Sequence, residues 1–225
     1  VTGMKSEFNI LNSYGWEESS FPKEYVKNFN QNLSGIIAVS NYVKDVLVNN
    51  GVNIPIKVIS NPVNHVLDFE AKEYKLKTDK SFKFLHISSC FPRKGVDVLL
   101  ESYSKAFTKN DDVVLIIKTF PNPHNDVDKQ IKNIKNSNPN MPEIEFINED
   151  LEQEQINYLY QTCNAFVLPS RGEGFGLPNA EAMLFELPVI TTNYSGQTDF
   201  CTYENSWLID YTFAEAKTHL NLFNS

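Results

Sequence analysis

The sequence predicts an α/β protein built on parallel sheets, and two observations favour this class. Short apolar runs typical of buried strands alternate with segments of helical periodicity along most of the chain. One of these runs is followed directly by a glycine-rich loop and a further helical segment, as in doubly wound folds. The chain has 225 residues, of which 41% are hydrophobic, so we expect one large or two small globular domains.

The alternation is most regular from Ser81 onwards. The run Phe82–Ile87 predicts a strand, and apolar residues then repeat at helical spacing from Val96 to Phe107. The remaining elements of this region are strands at Val113–Ile117, Ile144–Ile147, Ala165–Leu168 and Val189–Thr192, and amphipathic helices over Val127–Ile134 and Ile156–Cys163. The last strand closes the set, and together these elements make most of one Rossmann-like domain.

The N-terminal part contains fewer recognisable elements. Ile36–Val39 predicts a strand, Ser40 is a typical N-cap residue, and the helix after it ends near Gly51. Ile56–Ile59 predicts a further strand, which leaves too few strands for a self-sufficient sheet. The aromatic residues of this part are interpreted as core rather than as an acceptor groove or a partner surface. They are Tyr14, Trp16, Phe21, Tyr25 and Phe29.

Residues 60–80 separate the two regions, because this segment combines turn residues with a charged run and shows little periodicity. We therefore expect residues 1–79 to form a partial N-terminal domain with its linker. Residues 80–225 are expected to form a near-complete C-terminal domain.

Charge and cysteine content exclude several classes of protein. The formal net charge is −8, from 20 basic and 28 acidic residues, which argues against nucleic-acid binding because phosphate backbones require a basic surface. Cys90, Cys163 and Cys201 have no C-x-x-C spacing, so neither a disulfide framework nor a zinc site is indicated. No apolar run reaches the roughly 18 residues of a membrane span, and no signal peptide is evident. We expect a cytoplasmic protein without a transmembrane segment, and peripheral membrane association is compatible with the sequence.

The most informative segment extends from Pro169 to Met183, directly after a predicted buried strand. Ligands of α/β sheets bind at the carboxyl ends of strands, where glycines let the backbone approach them and helix N-termini offer free N–H groups. Two carboxylates lie here with seven residues between them, Glu173 in the loop and Glu181 in the following helix. Glu173 can face a reacting group, and Glu181 can accept hydrogen bonds from a ribose diol. The alternative is a glycine-rich turn with two solvated glutamates.

A second candidate site is the turn Pro92–Asp97, between the first strand and the first helix of the C-terminal domain. Its adjacent cations, Arg93 and Lys94, precede a helix N-terminus and would form a compact diphosphate site. Such a site would stabilise the charge that develops on a diphosphate leaving group without a metal ion. The alternative is a solvated basic turn.

Two further patterns are interpreted as structural. Asp126 and Asp128 form a D-x-D sequence, but they open a predicted helix, where acidic residues are favoured. The four histidines are scattered and form no H-x-x-x-H pair. No metal ion and no cofactor is therefore expected.

Several segments together match the pattern of one known family. They are Ser40–Val43, Val58–Val63, His86–Leu100, Leu159–Ser170, the E-x7-E element Glu173–Glu181, and Pro188–Gly196. In this combination, from about Gly35 to Asp210, the sequence resembles the family 4 retaining glycosyltransferases of GT-B fold. These enzymes transfer a sugar from a nucleotide diphosphate sugar.

The resemblance implies a role for each matching residue. Glu173 would lie at the donor sugar as the catalytic residue, and Glu181 would bind the nucleotide ribose. Arg93 and Lys94 would bind the diphosphate. Backbone amides of the loop would hold sugar hydroxyls and phosphate, namely those of Gly174, Phe175, Gly176 and Leu177. Such enzymes need no metal ion and retain the anomeric configuration through front-face attack, assisted by the leaving phosphate.

The sequence departs from the family at two places. Many relatives have a glycine and an arginine where this chain has Ser88 and Ser89, so we expect the role of that arginine to fall to Arg93, one place before Lys94. Family members also have a complete N-terminal domain that supplies the acceptor site, and this sequence is expected to contain only part of it.

We expect a retaining, metal-independent glycosyltransferase of GT-B type that moves a hexose from a nucleotide diphosphate sugar to a glycan, polysaccharide or lipid-linked acceptor. One alternative is a non-catalytic module that binds a nucleotide sugar or serves in assembly. The other is a nucleotide-sugar epimerase of the same fold, which would share the nucleotide site without needing a separate acceptor.

Overall fold

The computed structural model describes residues 6–214, and its contacts divide the chain into two compact units. The first unit comprises Val1–Pro62, Gly172–Leu177 and Tyr194–Phe200. The second comprises Val63–Arg171, Pro178–Asn193 and Cys201–Ser225. The chain therefore passes from the first unit to the second after Pro62 and returns twice to the first unit. The domain boundary between residues 79 and 80 stays a prediction.

The first unit contains a three-stranded parallel sheet with two helices. In chain order its elements are β1 (Ile10–Tyr14), α1 (Lys23–Asn32), β2 (Gly35–Ala38), α2 (Asn41–Asn49) and β3 (Ile56–Val58), and β2 is the central strand. The predicted unit of β2, α2 and β3 is confirmed. Ser40 caps α2, because its hydroxyl accepts a hydrogen bond of 3.2 Å from the Val43 N–H.

Two elements of this unit, β1 and α1, are absent from the sequence-based assignment, so the unit has one strand and one helix more than predicted. β1 carries no fully buried side chain. In α1, Phe29 is the one buried residue, and three asparagines lower the intrinsic helix propensity. Neither element therefore has the continuous apolar pattern by which the other strands and helices were found.

The N-terminal aromatic residues form core, as predicted. Phe21 and Phe29 are buried, and their ring centroids are 5.5 Å apart. Tyr14 contacts both rings edge-on, at 6.2 Å from Phe21 and 5.6 Å from Phe29. Trp16 lies 4.9 Å from Phe21, whereas Tyr25 is 40% exposed at the rim of the cluster. These rings supply the apolar burial that the small sheet needs.

The second unit is a doubly wound domain on a six-stranded parallel sheet with the strand order β6-β5-β4-β7-β8-β9. Its strands are β4 (Phe82–Ile87), β5 (Val113–Thr119), β6 (Glu143–Asn148), β7 (Ala165–Leu168), β8 (Val189–Thr192) and β9 (Ser206–Ile209). Its helices are α3 (Val96–Ala106), α4 (Val127–Ser137), α5 (Gln153–Thr162) and α6 (Leu177–Leu184), of which α6 has its first residue, Leu177, in the first unit. The predicted elements from β4 to β8 are confirmed.

The prediction that the strand at Val189–Thr192 closes the set was wrong, because β9 pairs with β8 beyond it. β9 is a short edge strand with no fully buried residue, and Trp207 is 63% exposed. Such a strand lacks the buried apolar run that identifies the inner strands of a parallel sheet.

One hydrophobic core cluster of the second unit lies between its sheet and helices α3 and α4. Leu115 and Ile117 of β5 are fully buried in one cluster with Leu100 of α3 and Val127 of α4. This packing fixes the position of the segments that follow the carboxyl ends of β4 and β5. Within the described residues, no helix is both long enough and apolar enough to cross a membrane.

Candidate functional site

The Arg93–Lys94 turn follows the carboxyl end of β4 and forms a short 3₁₀ helix, Pro92–Lys94. It leads into α3 through Gly95, whose φ is 70°. A Cβ atom at Gly95 would lie 2.1 Å from the carbonyl oxygen of Pro169, so only glycine fits there. Lys94 is 7% exposed, which is rare for a lysine unless anionic or polar groups accompany it. The turn is therefore a fixed structure that holds a buried cation, which argues against the solvated-turn alternative for Lys94.

Arg171 fixes this turn, a role that sequence reasoning missed. Its guanidinium donates to both carboxylate oxygens of Asp97, at 2.9 and 2.7 Å, and to the Pro92 carbonyl oxygen at 2.6 Å. Its backbone N–H also donates to the Arg93 carbonyl oxygen at 2.7 Å. The segment that follows β7 is thus joined to the turn that follows β4. No sequence signal links Arg171 to Asp97, because 74 residues separate them.

The ion pair with Arg171 changes the pKa of the Asp97 carboxyl group. Burial favours its neutral form, but the hydrogen bonds and charge of Arg171 outweigh burial and lower the pKa of Asp97 below its usual value. Asp97 and Arg171 also line a cavity of about 180 Å³ beside the turn, together with Cys90 and Pro92. The cavity therefore has an ion pair in its wall.

Glu181 lies on α6, which starts beyond the carboxyl end of β7, the strand next to β4. The hydroxyl of Tyr160, a fully buried residue, donates to its Oε2 atom at 3.0 Å, and among residues 6–214 this is its single side-chain hydrogen bond. Burial raises the pKa of Glu181, and the Tyr160 hydrogen bond and the charge of His65 oppose that rise. The carboxylate is positioned by one oxygen, so the other can accept further hydrogen bonds.

Asn179, two residues before Glu181, was not considered in the sequence analysis. It is fully buried, and neither its Oδ1 nor its Nδ2 atom has a hydrogen-bond partner in the described part of the chain. A buried amide without partners is costly and is uncommon in folded proteins. A polar residue in a helix that is otherwise apolar on its buried side is the sequence signal that could have identified it.

The loop Gly172–Leu177, which contains Glu173, belongs to the first unit. Glu173 is 4% exposed, which excludes the alternative of a solvated glutamate. Within residues 6–214, the backbone N–H groups of Gly174, Phe175, Gly176 and Leu177 donate no hydrogen bond. Four successive free donors next to a helix N-terminus form a surface that favours anions and hydroxyl oxygens.

Three short contacts within the first unit hold this loop. The Ser40 hydroxyl donates to the Gly174 carbonyl oxygen at 2.6 Å. The Glu173 N–H donates to the Ser195 hydroxyl at 2.8 Å, and the Gly196 N–H donates to the Glu173 carbonyl oxygen at 2.9 Å. A Cβ atom at Gly196 would lie 2.1 Å from the Gly174 carbonyl oxygen, so glycine is required there. Ser195 and Gly196 thus support the loop, a role that their position in the sequence did not reveal.

The candidate residues divide between the units. Arg93, Lys94 and Glu181 lie in the second unit, at the carboxyl ends of two neighbouring strands, whereas Glu173 and the four free N–H groups lie in the first.

The D-x-D residues have structural roles. The Gln130 side chain donates to Asp126 at 2.6 Å, and Asp128 forms an ion pair with Lys132 one turn along α4. Within residues 6–214 there is no group of three or more His, Cys, Asp or Glu side chains arranged to hold a metal ion. The three cysteines are free and buried.

Comparison with known families places the chain. The profile of the family described as "Glycosyl transferases group 1" matches residues 68–218, more than half of the chain. The chain belongs to this family. Among curated relatives of this glycosyltransferase chain, the capsular polysaccharide biosynthesis glycosyltransferase CapM of Staphylococcus aureus is 30% identical over 130 residues, or 58% of this chain and 32% of CapM. An uncharacterized glycosyltransferase of Methanocaldococcus jannaschii is 30% identical over 172 residues, or 76% of this chain and 44% of that protein.

This member of the glycosyl transferases group 1 family thus spans less than half the length of these curated relatives. Solved structures share its fold. The crystal structure of TarM matches 93% of this chain and 41% of its own, with a TM-score of 0.68 and 20% identity. The sucrose-phosphate synthase of Thermosynechococcus elongatus matches 82% of this chain and 47% of its own, also with a TM-score of 0.68 and 20% identity. The predicted α/β architecture of GT-B type is confirmed.

Proposed function

We propose that this chain carries the donor site of a retaining glycosyltransferase that takes a hexose from a nucleotide diphosphate sugar. The observation that carries the proposal is the row of four free backbone N–H groups from Gly174 to Leu177, between the buried Glu173 and the helix that bears Glu181. Such donors suit the hydroxyl and phosphate oxygens of a nucleotide sugar.

Each remaining residue has one task in this proposal. Glu181 accepts hydrogen bonds from the ribose diol, held in place by the Tyr160 hydroxyl. Arg93 and Lys94 bind the diphosphate, and Arg171 keeps their turn in position through Asp97. Glu173 contacts the donor sugar as the catalytic residue.

The proposed reaction proceeds on one face of the sugar. The bond between the anomeric carbon and the diphosphate oxygen breaks, and its electron pair leaves with the diphosphate. The acceptor hydroxyl oxygen bonds to the same face of the carbon, and its proton passes to the departing phosphate oxygen. Retention follows because the entering and leaving oxygens share one face. Arg93, Lys94 and the backbone donors stabilise the charge that develops on the diphosphate, so the proposal includes no metal ion.

The acceptor and the nucleotide are proposed by similarity. The name of CapM places that relative in capsular polysaccharide biosynthesis. The pneumococcal O-GlcNAc transferase GtfA, whose fold is similar with a TM-score of 0.63 and 17% identity, was crystallised with UDP and GlcNAc. We therefore propose a UDP-sugar donor and a glycan, polysaccharide or lipid-linked acceptor, at a cytoplasmic location.

The test is calorimetric titration of the chain with UDP, GDP, ADP and CDP. We expect selective binding of UDP, and Glu181→Ala should weaken the binding of uridine and of UDP alike. Lys94→Ala should weaken the binding of the nucleoside diphosphate and leave the binding of the nucleoside unchanged. Glu101→Ala is the matched control, since Glu101 is exposed on α3 and pairs with Lys105. Failure of the wild-type chain to bind any of the four nucleotides would contradict the proposal.

A non-catalytic binding module is the alternative to the transferase. Both candidates predict nucleotide binding, but only the transferase consumes the donor sugar in the presence of an acceptor. An epimerase of the same fold would instead release an altered sugar without an acceptor. Product analysis with the bound nucleotide's sugars therefore separates all three.

A further inference from the structure

Lys118 is a buried cation inside the six-stranded sheet of the second unit. It is 8% exposed and lies one residue before the carboxyl end of β5, opposite Ile87 of β4 and Ile147 of β6. Within residues 6–214 its ammonium group makes neither a hydrogen bond nor an ion pair. A lysine is costly to bury in this way, because its charge loses water and gains no direct partner.

The surroundings of Lys118 contain a second buried lysine. Burial raises the pKa of the Cys90 thiol, whereas hydrogen bonds with Ser88 and Thr119 and the charges of Lys94 and Lys118 oppose this rise. Both ammonium groups therefore lie close enough to Cys90 to act on it. The Thr119 hydroxyl is buried, and by geometry it has no hydrogen-bond partner among the described residues, so its influence on the thiol pKa does not come from a well-formed hydrogen bond.

The end of β4 supplies neutral groups at the same edge of the sheet. The buried Ser88 hydroxyl is 2.8 Å from His86 Nε2 and donates to the Cys90 sulfur at 3.5 Å. After β4 the chain continues with Ser88 and Ser89, and neither side chain carries a positive charge. The neighbouring strand β5 places the Lys118 cation beside this segment instead.

Two carboxylates face Lys118 from beyond the end of β6. Burial lowers the pKa of Lys118, and the negative charges of Asp150 and Glu149 act in the opposite direction, as does Cys90 in its thiolate form. Glu149 and Asp150 are both exposed, so water screens their charges and neither substitutes for a direct ion pair. The buried ammonium group would therefore be stabilised by a bound ligand that carries a negative charge.

We propose that Lys118 is a phosphate-binding residue, which holds the diphosphate of the nucleotide sugar together with the Arg93–Lys94 turn. This inference rests on the proposed function and adds a third cation to the proposed diphosphate site. The carboxyl end of a parallel strand is where α/β sheets bind their ligands. Lys94 and Lys118 are both buried at this edge of the sheet, and both act on the Cys90 thiol, so together they suit a dianionic group.

The test compares Lys118→Met with Lys83→Met. Lys83 lies in β4 at the amino end of the same sheet, so both variants lose one positive charge from one sheet but at opposite edges. Inorganic pyrophosphate, the four nucleoside diphosphates and the matching nucleosides are titrated calorimetrically into each protein. We expect Lys118→Met to lower the affinity for pyrophosphate and for the bound nucleoside diphosphate by about tenfold to a hundredfold. The affinity of Lys118→Met for the nucleoside should remain within about twofold of the wild-type value. The affinities of the Lys83→Met control for all these ligands should remain within the same range.

A second readout separates binding from structural support. Methionine matches the shape of the lysine stem and removes a desolvated charge, so we expect the thermal midpoint of ligand-free Lys118→Met to equal or exceed that of wild type. Pyrophosphate should raise the midpoint of wild type more than that of the variant. If Lys118→Met does not fold, Lys118→Arg and Lys118→Gln repeat the comparison, and the arginine variant should retain the affinity that the glutamine variant loses.

Three results would overturn the inference. Unchanged pyrophosphate affinity in Lys118→Met would show that the ammonium does not contact phosphate. An equal loss of affinity for the nucleoside and for the nucleoside diphosphate would indicate that Lys118 contacts the nucleoside instead. A lower midpoint with undiminished ligand stabilisation would indicate a structural role. Failure of the wild-type chain to bind any nucleoside diphosphate, in contrast, contradicts the proposed function, while the pyrophosphate titration still tests Lys118.

Discussion

At the scale of single residues, burial decides the properties of the candidate groups. The sequence identified Lys94, Glu173 and Glu181, but residue type alone is compatible with exposed side chains at all three positions. The structure buries Lys94 and Glu173 almost completely and attaches Glu181 to the Tyr160 hydroxyl. These side chains are therefore held in place before a ligand binds, which reduces the entropic cost of binding.

The raised pKa of Glu181 predicts a pH dependence of nucleoside binding. Only the ionised carboxylate accepts two hydrogen bonds from a diol, so affinity should fall as the pH decreases through the raised pKa, which lies above the ordinary value of 4.5. For folding the sign is the reverse. The contribution of Glu181 to stability is fully present below 4.5 and decreases as the pH rises through the raised pKa.

The measurement is calorimetric titration of the nucleoside rather than the nucleotide, because phosphate groups also titrate in this range. Glu181→Gln should bind more weakly and with a flat pH profile. An unaltered pH profile in Glu181→Gln would assign the titration to a different group.

At the scale of elements, the connections between turns and strands decide the geometry of the site. The turn after β4 touches the segment after β7 at Gly95 and again through Arg171. The hydrogen bonds of Arg171 link two elements that the sequence analysis treated as separate motifs.

We predict that Gly95→Ala is strongly destabilising. The added Cβ would lie 2.1 Å from the Pro169 carbonyl oxygen, and the backbone φ of 70° is unfavourable for alanine. Together these effects should lower the free energy of unfolding by about 3 kcal/mol or more, as measured by urea denaturation. Gly51→Ala is the matched control, because Gly51 also has a positive φ but its nearest contact would be 3.7 Å away. Equal costs in the two variants would contradict the steric explanation.

Two buried asparagines provide a second comparison within the second unit. The Asn157 amide on α5 donates to the carbonyl oxygens of Val66 and Phe69 at 2.7 and 2.8 Å, whereas the Asn179 amide on α6 has no partner among the described residues. Asn157→Ala should lower the free energy of unfolding by about 2–3 kcal/mol, because two carbonyl groups lose their donor. Asn179→Ala should cost less than about 1 kcal/mol. Urea denaturation checks both values, and a comparable loss in Asn179→Ala would mean that its amide has a structural partner.

At the scale of the whole molecule, the fold places three cations at one edge of the six-stranded sheet, where the proposed diphosphate site lies. Arg93, Lys94 and Lys118 all lie at the carboxyl edge of one sheet, on or beside its strands β4 and β5. In the proposed site these three cations would provide the positive charge that a metal ion supplies in other phosphate sites.

We therefore predict that chelation does not affect donor binding. The dissociation constant of the bound nucleoside diphosphate, measured with EDTA and with added Mg²⁺, should agree within about twofold. Double substitution of Asp126 and Asp128 by asparagine is the matched control and should leave binding unchanged in both media. Loss of binding in EDTA with recovery in Mg²⁺ would contradict the prediction and return these two aspartates to consideration.

The sequence by itself determined the α/β class, the elements from β4 to β8 and the residue types of the site. It could do so because hydrophobic periodicity, glycine-rich turns and N-caps are local properties that neighbouring residues express together. Phe82–Ile87 and Ser40 are examples, since both were assigned correctly from their immediate neighbours. The resemblance to glycosyltransferases rested on the same kind of local segments.

Only the tertiary structure decided the remainder. β1 and β9 are strands because of the partners they pair with, since neither contains a fully buried residue. Arg171 reaches Asp97 across 74 residues, and Tyr160 reaches Glu181 across 21. The isolation of the Lys118 ammonium and the free N–H groups from Gly174 to Leu177 likewise depend on which groups the fold brings near them. These properties arise from contacts between residues far apart in the chain, which no local pattern encodes.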